Sequence, residues 1–184
     1  MSSAGGDNIY IVIIDIDSQK VMIAISMDTY IYDMAVRGRT IYYCAWNKGL
    51  KMLHLSDNSV SDIINSNMSG VNYVATSGDK LYYTNSDTHA VICCDLHGTT
   101  QWEFKDNRVL RGPHGISVDN DGNVYVVGFS SNNVVVISPD GQRHRQLLSS
   151  KDGLRVLEYD RSTNSLLVVN ESSTAFLFDV TGRQ

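Results

Sequence analysis

The sequence is poor in proline and cysteine. Only 2 of its 184 residues are proline, and the 3 cysteines are Cys44, Cys93 and Cys94. Two of the cysteines are adjacent and no Cys-x-x-Cys pair occurs, so the spacing does not suit a zinc or thioredoxin-type site. An odd number of cysteines favours reduced thiols, and we therefore expect a cytoplasmic protein.

Long apolar segments are also missing. The apolar run at residues 9–14 is too short for a membrane helix or a signal core, and residues 1–7 are small and polar. We expect a disordered N-terminus over residues 1–7 and no association with a membrane. The net charge of −5 and the pI near 5.4 argue against electrostatic binding of nucleic acid by the chain as a whole, but they are compatible with a local basic patch.

Short apolar runs recur along the chain at a nearly constant interval. If Val12, Met52, Ile92, Val135 and Phe176 are equivalent, the intervals are 40, 40, 43 and 41 residues, within the range of propeller blades. A second set of runs repeats with the same period, and each of its members follows a polar turn. No stretch has sustained helical periodicity. The second set lies at residues 41–43, 81–83, 124–126 and 166–168.

The predicted strands are apolar at successive positions, which is typical of strands covered on both faces. Blades of a propeller are sandwiched in this way. The sequence therefore predicts an all-β fold: a partial β-propeller of about four to five four-stranded antiparallel blades. The expected domain covers residues 8–184, with a half blade at 8–26, whole blades at 27–66, 67–107 and 108–150, and an incomplete blade at 151–184. An open arc of this kind predicts self-association through the incomplete blades.

Residues 112–150 carry the clearest repeat. It reads Gly-Ile-Ser-Val-Asp-Asn-Asp-Gly-Asn-Val-Tyr-Val from Gly115 and Asn-Val-Val-Val-Ile-Ser-Pro-Asp-Gly from Asn133. This pattern resembles the NHL-repeat propellers, especially those that end tripartite-motif proteins of the B-box and RING type. The resemblance implies a non-catalytic module for protein interaction or substrate recognition, within the ubiquitin pathway. It also implies missing blades, because such propellers usually have six.

Two further classes of function stay open. Sugar-lactonase-type propellers are metal-dependent hydrolases, and their sites need several carboxylates and an Asn at the channel mouth. The segment Asp119-Asn-Asp-Gly-Asn123 has its Gly in the wrong place for an EF-hand loop and suits a hairpin turn. We therefore predict no catalytic residue, no cofactor and no metal ligand, and leave a lactonase-like hydrolase as one alternative.

The other alternative is an RNA-binding platform. Basic residues precede the clearest repeat and flank His144 on its predicted outer strand, but acidic residues interleave with them. His114 lies just before a predicted inner strand, where a propeller channel would open. A protein partner is favoured over RNA. The candidate ligand or partner surface comprises Lys105, Arg108, Arg111, His114, Arg143 and Arg145.

Overall fold

The computed structural model describes residues 9–172 and 174–180, so the disorder predicted for residues 1–7 lies outside the described residues. Within these ranges the chain forms seventeen strands and no helix. The strands are β1 (Ile9–Asp15), β2 (Lys20–Met27), β3 (Ile31–Arg37), β4 (Thr40–Ala45), β5 (Gly49–His54), β6 (Val60–Ile64), β7 (Val74–Ser77), β8 (Lys80–Asn85), β9 (Ala90–Asp95), β10 (Thr100–Phe104), β11 (Pro113–Val118), β12 (Val124–Gly128), β13 (Asn133–Ile137), β14 (His144–Ser149), β15 (Leu154–Asp160), β16 (Ser165–Asn170) and β17 (Ala175–Asp179).

The strands form antiparallel meanders in chain order. Blade 1 is β3–β6, blade 2 is β7–β10 and blade 3 is β11–β14, each with four strands; blade 4 is β15–β17, with three. A separate two-stranded sheet, β1–β2, precedes them. These four blades of a β-propeller confirm the predicted fold class. The sequence predicts blades that begin at residues 27, 67, 108 and 151. In the structure the first strands of the four blades begin at Ile31, Val74, Pro113 and Leu154, and Met27 is the last residue of β2.

Hairpin turns separate the strands, and their sequences explain where the strands end. In the β11–β12 turn, Gly122 has a φ of 84°, a conformation that favours glycine. The Asp119 carboxylate accepts hydrogen bonds from the N–H groups of Asp121 (2.9 Å) and Asn123 (2.8 Å). This side chain thus closes the turn, as expected where the chain must reverse between two apolar strands.

Each second strand contributes side chains to both faces of its blade. Tyr42, Tyr82 and Tyr125 point towards the following blade, and all three are buried. Ile41 and Tyr43 pack against the β1–β2 sheet on the opposite face. This double cover explains the unbroken apolar runs of β4, β8 and β12, since each of these second strands lies between two neighbouring sheets.

The two ends of the arc differ from the middle. The face of β1–β2 that points away from blade 1 exposes Tyr10, Val12 and Ile14. In blade 4, Leu167 and Leu177 pair with each other and are 39% and 69% exposed. No other sheet of the described part of the chain covers either face.

Candidate functional site

The first strands of the four blades surround a central channel. Side-by-side contacts between β3 and β7, β7 and β11, and β11 and β15 place these strands in the same direction around it. We call the end at which they begin the upper end and the other the lower end. The channel holds a cavity of about 390 Å³, lined by these four strands and Arg161.

Two carboxylates from opposite ends of the arc line this cavity. Asp33 on β3 accepts a hydrogen bond from the backbone N–H of Val74 on β7 (2.9 Å). Glu158 on β15 accepts one from the Ser117 hydroxyl on β11 (3.3 Å). The same Ser117 oxygen accepts the N–H of Tyr159 (3.1 Å), so neighbouring inner strands hold both carboxylates in place.

Burial is the main influence on the ionisation of these groups. It raises the pKa of Asp33 above its usual value, against the lowering effect of the Val74 N–H group. Partial loss of hydration around its carboxylate also raises the pKa of Glu158, although the residue as a whole is exposed, and the negative charge of Asp33 raises this pKa further. The negative charge of Asp33 therefore disfavours ionisation of Glu158, as expected for like charges that line one cavity.

Arg161 crosses the lower end of the channel. Its Nε–H donates to the carbonyl of Val118 (2.9 Å) and its Nη2 to the carbonyl of Thr76 (3.3 Å), which joins blade 4 to blades 3 and 2. The Thr76 hydroxyl is buried and has no hydrogen-bond partner among the described residues. A ligand would therefore enter the cavity from the upper end.

His114, the second residue of β11, lies at the upper end. Its ring stacks on Phe129 with centroids 4.5 Å apart and is tilted against Tyr73 at 5.7 Å. Burial lowers the pKa of His114, and the nearby Arg155 cation lowers it further. At neutral pH His114 is therefore an uncharged part of an aromatic cluster beside the channel.

The predicted basic residues occupy different parts of the surface. Lys105 and Arg108 line an open depression in the β10–β11 loop at the upper end, where Arg108 pairs with Asp106 (3.0 Å). Arg111 is exposed in the same loop. Strand order puts Arg143 in the β13–β14 turn at the lower end, with Arg145 following it on β14. The structure thus groups three of the basic residues near the mouth and separates the other two from them.

A pair of exposed aromatic side chains marks the upper end of blade 1. Tyr30 and Trp46 are 56% and 43% exposed and meet edge to face, with ring centroids 6.1 Å apart. The Trp46 N–H donates to the Tyr30 carbonyl (2.9 Å), and the buried Thr29 hydroxyl donates to the Trp46 carbonyl (3.2 Å). Lys48 and Asp28 form an ion pair beside them (2.6 Å). These bonds order the backbone segments that carry the two exposed rings.

The carboxylate of Asp119 is fully engaged in the turn. Besides two backbone N–H groups, it accepts the Asn123 side-chain amide (2.8 Å) and the Tyr125 hydroxyl (3.2 Å). Among the described residues, no group of three or more His, Cys, Asp or Glu could hold a metal ion. The same part of the chain has no helix long and apolar enough to span a membrane.

The channel carboxylates were not among the residues predicted from the sequence. Glu158 lies opposite Leu167, and the equivalent positions opposite Tyr42, Tyr82 and Tyr125 carry smaller side chains. Aligning the repeats on their second strands therefore finds Glu158 as an exception. The smaller side chains at its position are Ala35, Ala75 and Ser117.

Comparisons with solved structures show the same fold at low sequence identity. A chain from a nidogen/laminin complex matches with a TM-score of 0.74 and 20% identity over 88% of this chain and 65% of that chain. A protein of unknown function from Bacteroides caccae matches with a TM-score of 0.68 and 15% identity, over 95% and 66%. Virginiamycin B lyase from Staphylococcus aureus matches with a TM-score of 0.60 and 14% identity, over 84% and 57%. The chain thus spans about two thirds or less of these relatives.

Comparison with curated protein sequences gives no significant match. A family model does match: the SMP-30/Gluconolactonase/LRE-like region, over residues 47–153. The match covers more than half of the chain and includes blades 2 and 3 together with most of the second half of blade 1. The chain therefore belongs to the SMP-30/Gluconolactonase/LRE-like family of β-propellers.

Proposed function

We propose that this propeller is a non-catalytic protein-binding module that contacts its partner through the upper end. The observation that carries the proposal is the exposed pair Tyr30 and Trp46. Tyrosine and tryptophan are enriched at the energetic centres of protein interfaces. The backbone that carries the two rings is already ordered by hydrogen bonds, so a partner need not order these loop segments when it covers the rings.

Charged groups at the upper end fit the polar rim of such an interface. Arg111 and Lys105 lie in the β10–β11 loop, and Arg155 forms an ion pair with Glu171 (3.4 Å) near the channel mouth. Interfaces commonly combine buried aromatic anchors with a charged, hydrated rim. The nidogen/laminin neighbour is a propeller chain seen in a protein complex, which supports a protein partner by analogy of fold only.

The finer assignment remains part of this proposal. A role like that of NHL-repeat propellers in tripartite-motif proteins, including the link to ubiquitin, rests on the sequence pattern of residues 112–150. A cytoplasmic location is proposed from the cysteines, since Cys44, Cys93 and Cys94 are buried and free.

A lactonase-like hydrolase fits the channel less well. The described lining contains two carboxylates, Asp33 and Glu158, rather than a larger acidic set. Asn72, near the mouth, uses both atoms of its amide: its nitrogen donates to Gly70 (2.6 Å) and its oxygen accepts from Ser86 (3.0 Å). These donors do not fit a site built from several carboxylates and a free Asn, so no hydrolytic step is assigned.

RNA binding is also less favoured, because the basic residues are divided between the two ends of blade 3. Arg108 is partly neutralised by Asp106, and Arg143 and Arg145 lie away from the mouth. Binding to RNA depends on neutralising many phosphates with a continuous basic surface. If this assignment is right, RNA binding is weak and is lost by about physiological salt.

The test compares matched variants on one surface. Proteins retained by the immobilised chain are identified, and each candidate is then measured directly by calorimetry against the wild type, Trp46→Ala and Tyr30→Ala. Val60→Ala, on the outer strand of the same blade, removes a similarly exposed apolar side chain as the control. We expect losses of about 2 kcal/mol for Trp46→Ala and little change for the control. A partner that binds wild type and Trp46→Ala equally would refute the proposed surface.

A further inference from the structure

The central cavity combines chemical features that suit a positively charged organic group. Two acidic residues, Asp33 and Glu158, line it together with Tyr73. Tyr73 also packs against the apolar cluster between blades 2 and 3, whereas neither carboxylate belongs to an apolar cluster.

The charge balance inside the cavity is negative. Neither Asp33 nor Glu158 takes part in an ion pair within the described part of the chain. Arg161 is the cation of the lining, but its bonded nitrogens donate to the backbone carbonyls of Val118 and Thr76 at the lower end. With both carboxylates ionised, the lining carries a net charge of −1, which one monovalent cation would balance.

The remaining features discriminate among cations. An aromatic face attracts ammonium and guanidinium groups, and the attraction grows when the cation is taken out of water. A volume of about 390 Å³ lies at the lower end of the range for small-ligand pockets, so it admits a short aliphatic chain with its charged head.

We propose that this channel binds a primary ammonium or guanidinium group, inserted from the upper end between Asp33 and Glu158 and beside Tyr73. The group can belong to a free amine or to a Lys or Arg side chain of a bound protein. The second source rests on the proposed function, because it requires a partner seated on the upper end.

The probes are n-butylammonium chloride and the side-chain mimic N-acetyl-lysine-N-methylamide, with n-butanol as the uncharged control. Binding is followed by amide chemical shifts of the ¹⁵N-labelled full chain at constant ionic strength. We expect saturable shifts centred on Thr76 and Ser117 with both cations and none with n-butanol. Asp33→Asn and Glu158→Gln are each expected to weaken binding about tenfold or more, whereas Asp152→Asn, an exposed carboxylate in the β14–β15 loop, leaves it unchanged.

If either Asp33→Asn or Glu158→Gln does not fold, the other variant still tests the proposal. Equal shifts with n-butanol, or equal weakening by Asp152→Asn, would overturn the proposal. Binding of both cations supports a side-chain source, and binding of n-butylammonium alone supports a free amine. Trp46→Ala is expected to leave the cation shifts unchanged, so loss of the protein partner in that variant and loss of the cation site are distinguishable results.

Discussion

Asp33 lies near the start of the inner strand β3, and Asp160 is the last residue of the inner strand β15. Their surroundings shift the pKa values of these two carboxyl groups in opposite directions. Burial raises the pKa of Asp33. Asp160 is exposed, and hydrogen bonds from Ser162 and Thr163 lower its pKa to about 2. A raised carboxyl pKa contributes stability below the unfolded value, and this contribution is lost as pH rises through the folded value; a lowered pKa contributes stability above the unfolded value.

The first prediction concerns Asp33→Asn. At pH 7 the variant removes a partly buried charge and keeps an oxygen that accepts the Val74 N–H, so we expect the melting temperature to rise by about 2–4 °C, or about 1 kcal/mol. The rise should shrink as pH falls from the raised folded pKa towards the unfolded value of about 4, and it should be absent below that value, where the carboxyl is protonated in both states. Thermal melts at pH 7 and pH 3.5 check this. Asp160→Asn is the matched control with the opposite sign, a lower melting temperature at pH 7, and a fall in both variants would contradict the assignment.

The second prediction concerns the turn carboxylate. Asp119→Ala leaves four donors without an acceptor, among them the hydroxyl of the buried Tyr125, and we expect a loss of about 2–3 kcal/mol. Because these bonds occupy both carboxylate oxygens, calcium should not change the melting temperature of the wild type. Denaturant unfolding and calcium titration measure the two effects. A calcium-dependent rise that Asp121→Ala abolishes would show that the turn is a metal site.

Residues that recur once per blade could be predicted from the sequence, because they repeat at a constant interval. Tyr42, Tyr82 and Tyr125 recur at one blade position, and burial follows from that position. The channel groups break the period: Asp33 and Glu158 each occur in a single blade. What brings them to one cavity is that β3 and β15, whose residues are more than a hundred positions apart, both line it, and no local pattern encodes that arrangement.

At the scale of single elements, the closeness of the inner strands limits which side chains they can carry. A Cβ atom at Gly115 on β11 would lie 2.8 Å from the Cα of Val156 and 2.9 Å from the nitrogen of Leu157, both backbone atoms of β15. Backbone cannot yield as a flexible side chain does. The glycine therefore sets the spacing of two strands that frame the cavity.

The third prediction tests this spacing. Gly115→Ala should force β11 and β15 apart, with a loss of about 1–3 kcal/mol and weaker hydrogen bonding between Ser117 and Glu158. In Gly153→Ala, the control, the added methyl meets only the side chain of Glu171, and little change is expected. Chemical denaturation compares the two. Equal stability of both variants would show that the inner strands adjust without cost.

Strand positions also show where element-level prediction succeeds and where it does not. The turns at residues 119–123 and 139–141 were visible as Asx–Gly signals, and hairpins are found there. The strand β17 has the same apolar character as β13, yet all five of its residues are exposed, whereas four of the five in β13 are buried. Local sequence predicts a strand in both cases, but burial depends on whether a neighbouring sheet is present.

Across the whole molecule, the blades cover one another in series and the terminal sheets are covered on one side only. Leu167 and Leu177 on blade 4, and Tyr10, Val12 and Ile14 on β1, form two apolar faces. Strand β17 pairs with β16, and no strand in residues 9–172 or 174–180 pairs with its other edge. Exposed apolar faces and open strand edges both favour association.

The last prediction is that the isolated chain self-associates through these faces. Burial of two such surfaces removes apolar area from water at about 25 cal/mol per Å², so the tendency should rise with temperature and salt from low values. Light scattering across a concentration series measures it. The double variant Tyr10→Lys and Leu177→Lys should shift the chain towards monomer by charging both faces, whereas Val60→Lys, equally exposed on the outer strand of blade 1, should not. A wild-type monomer at all concentrations, with a single cooperative melt, would mean that the open faces are stable in water and that the arc needs no partner to complete it.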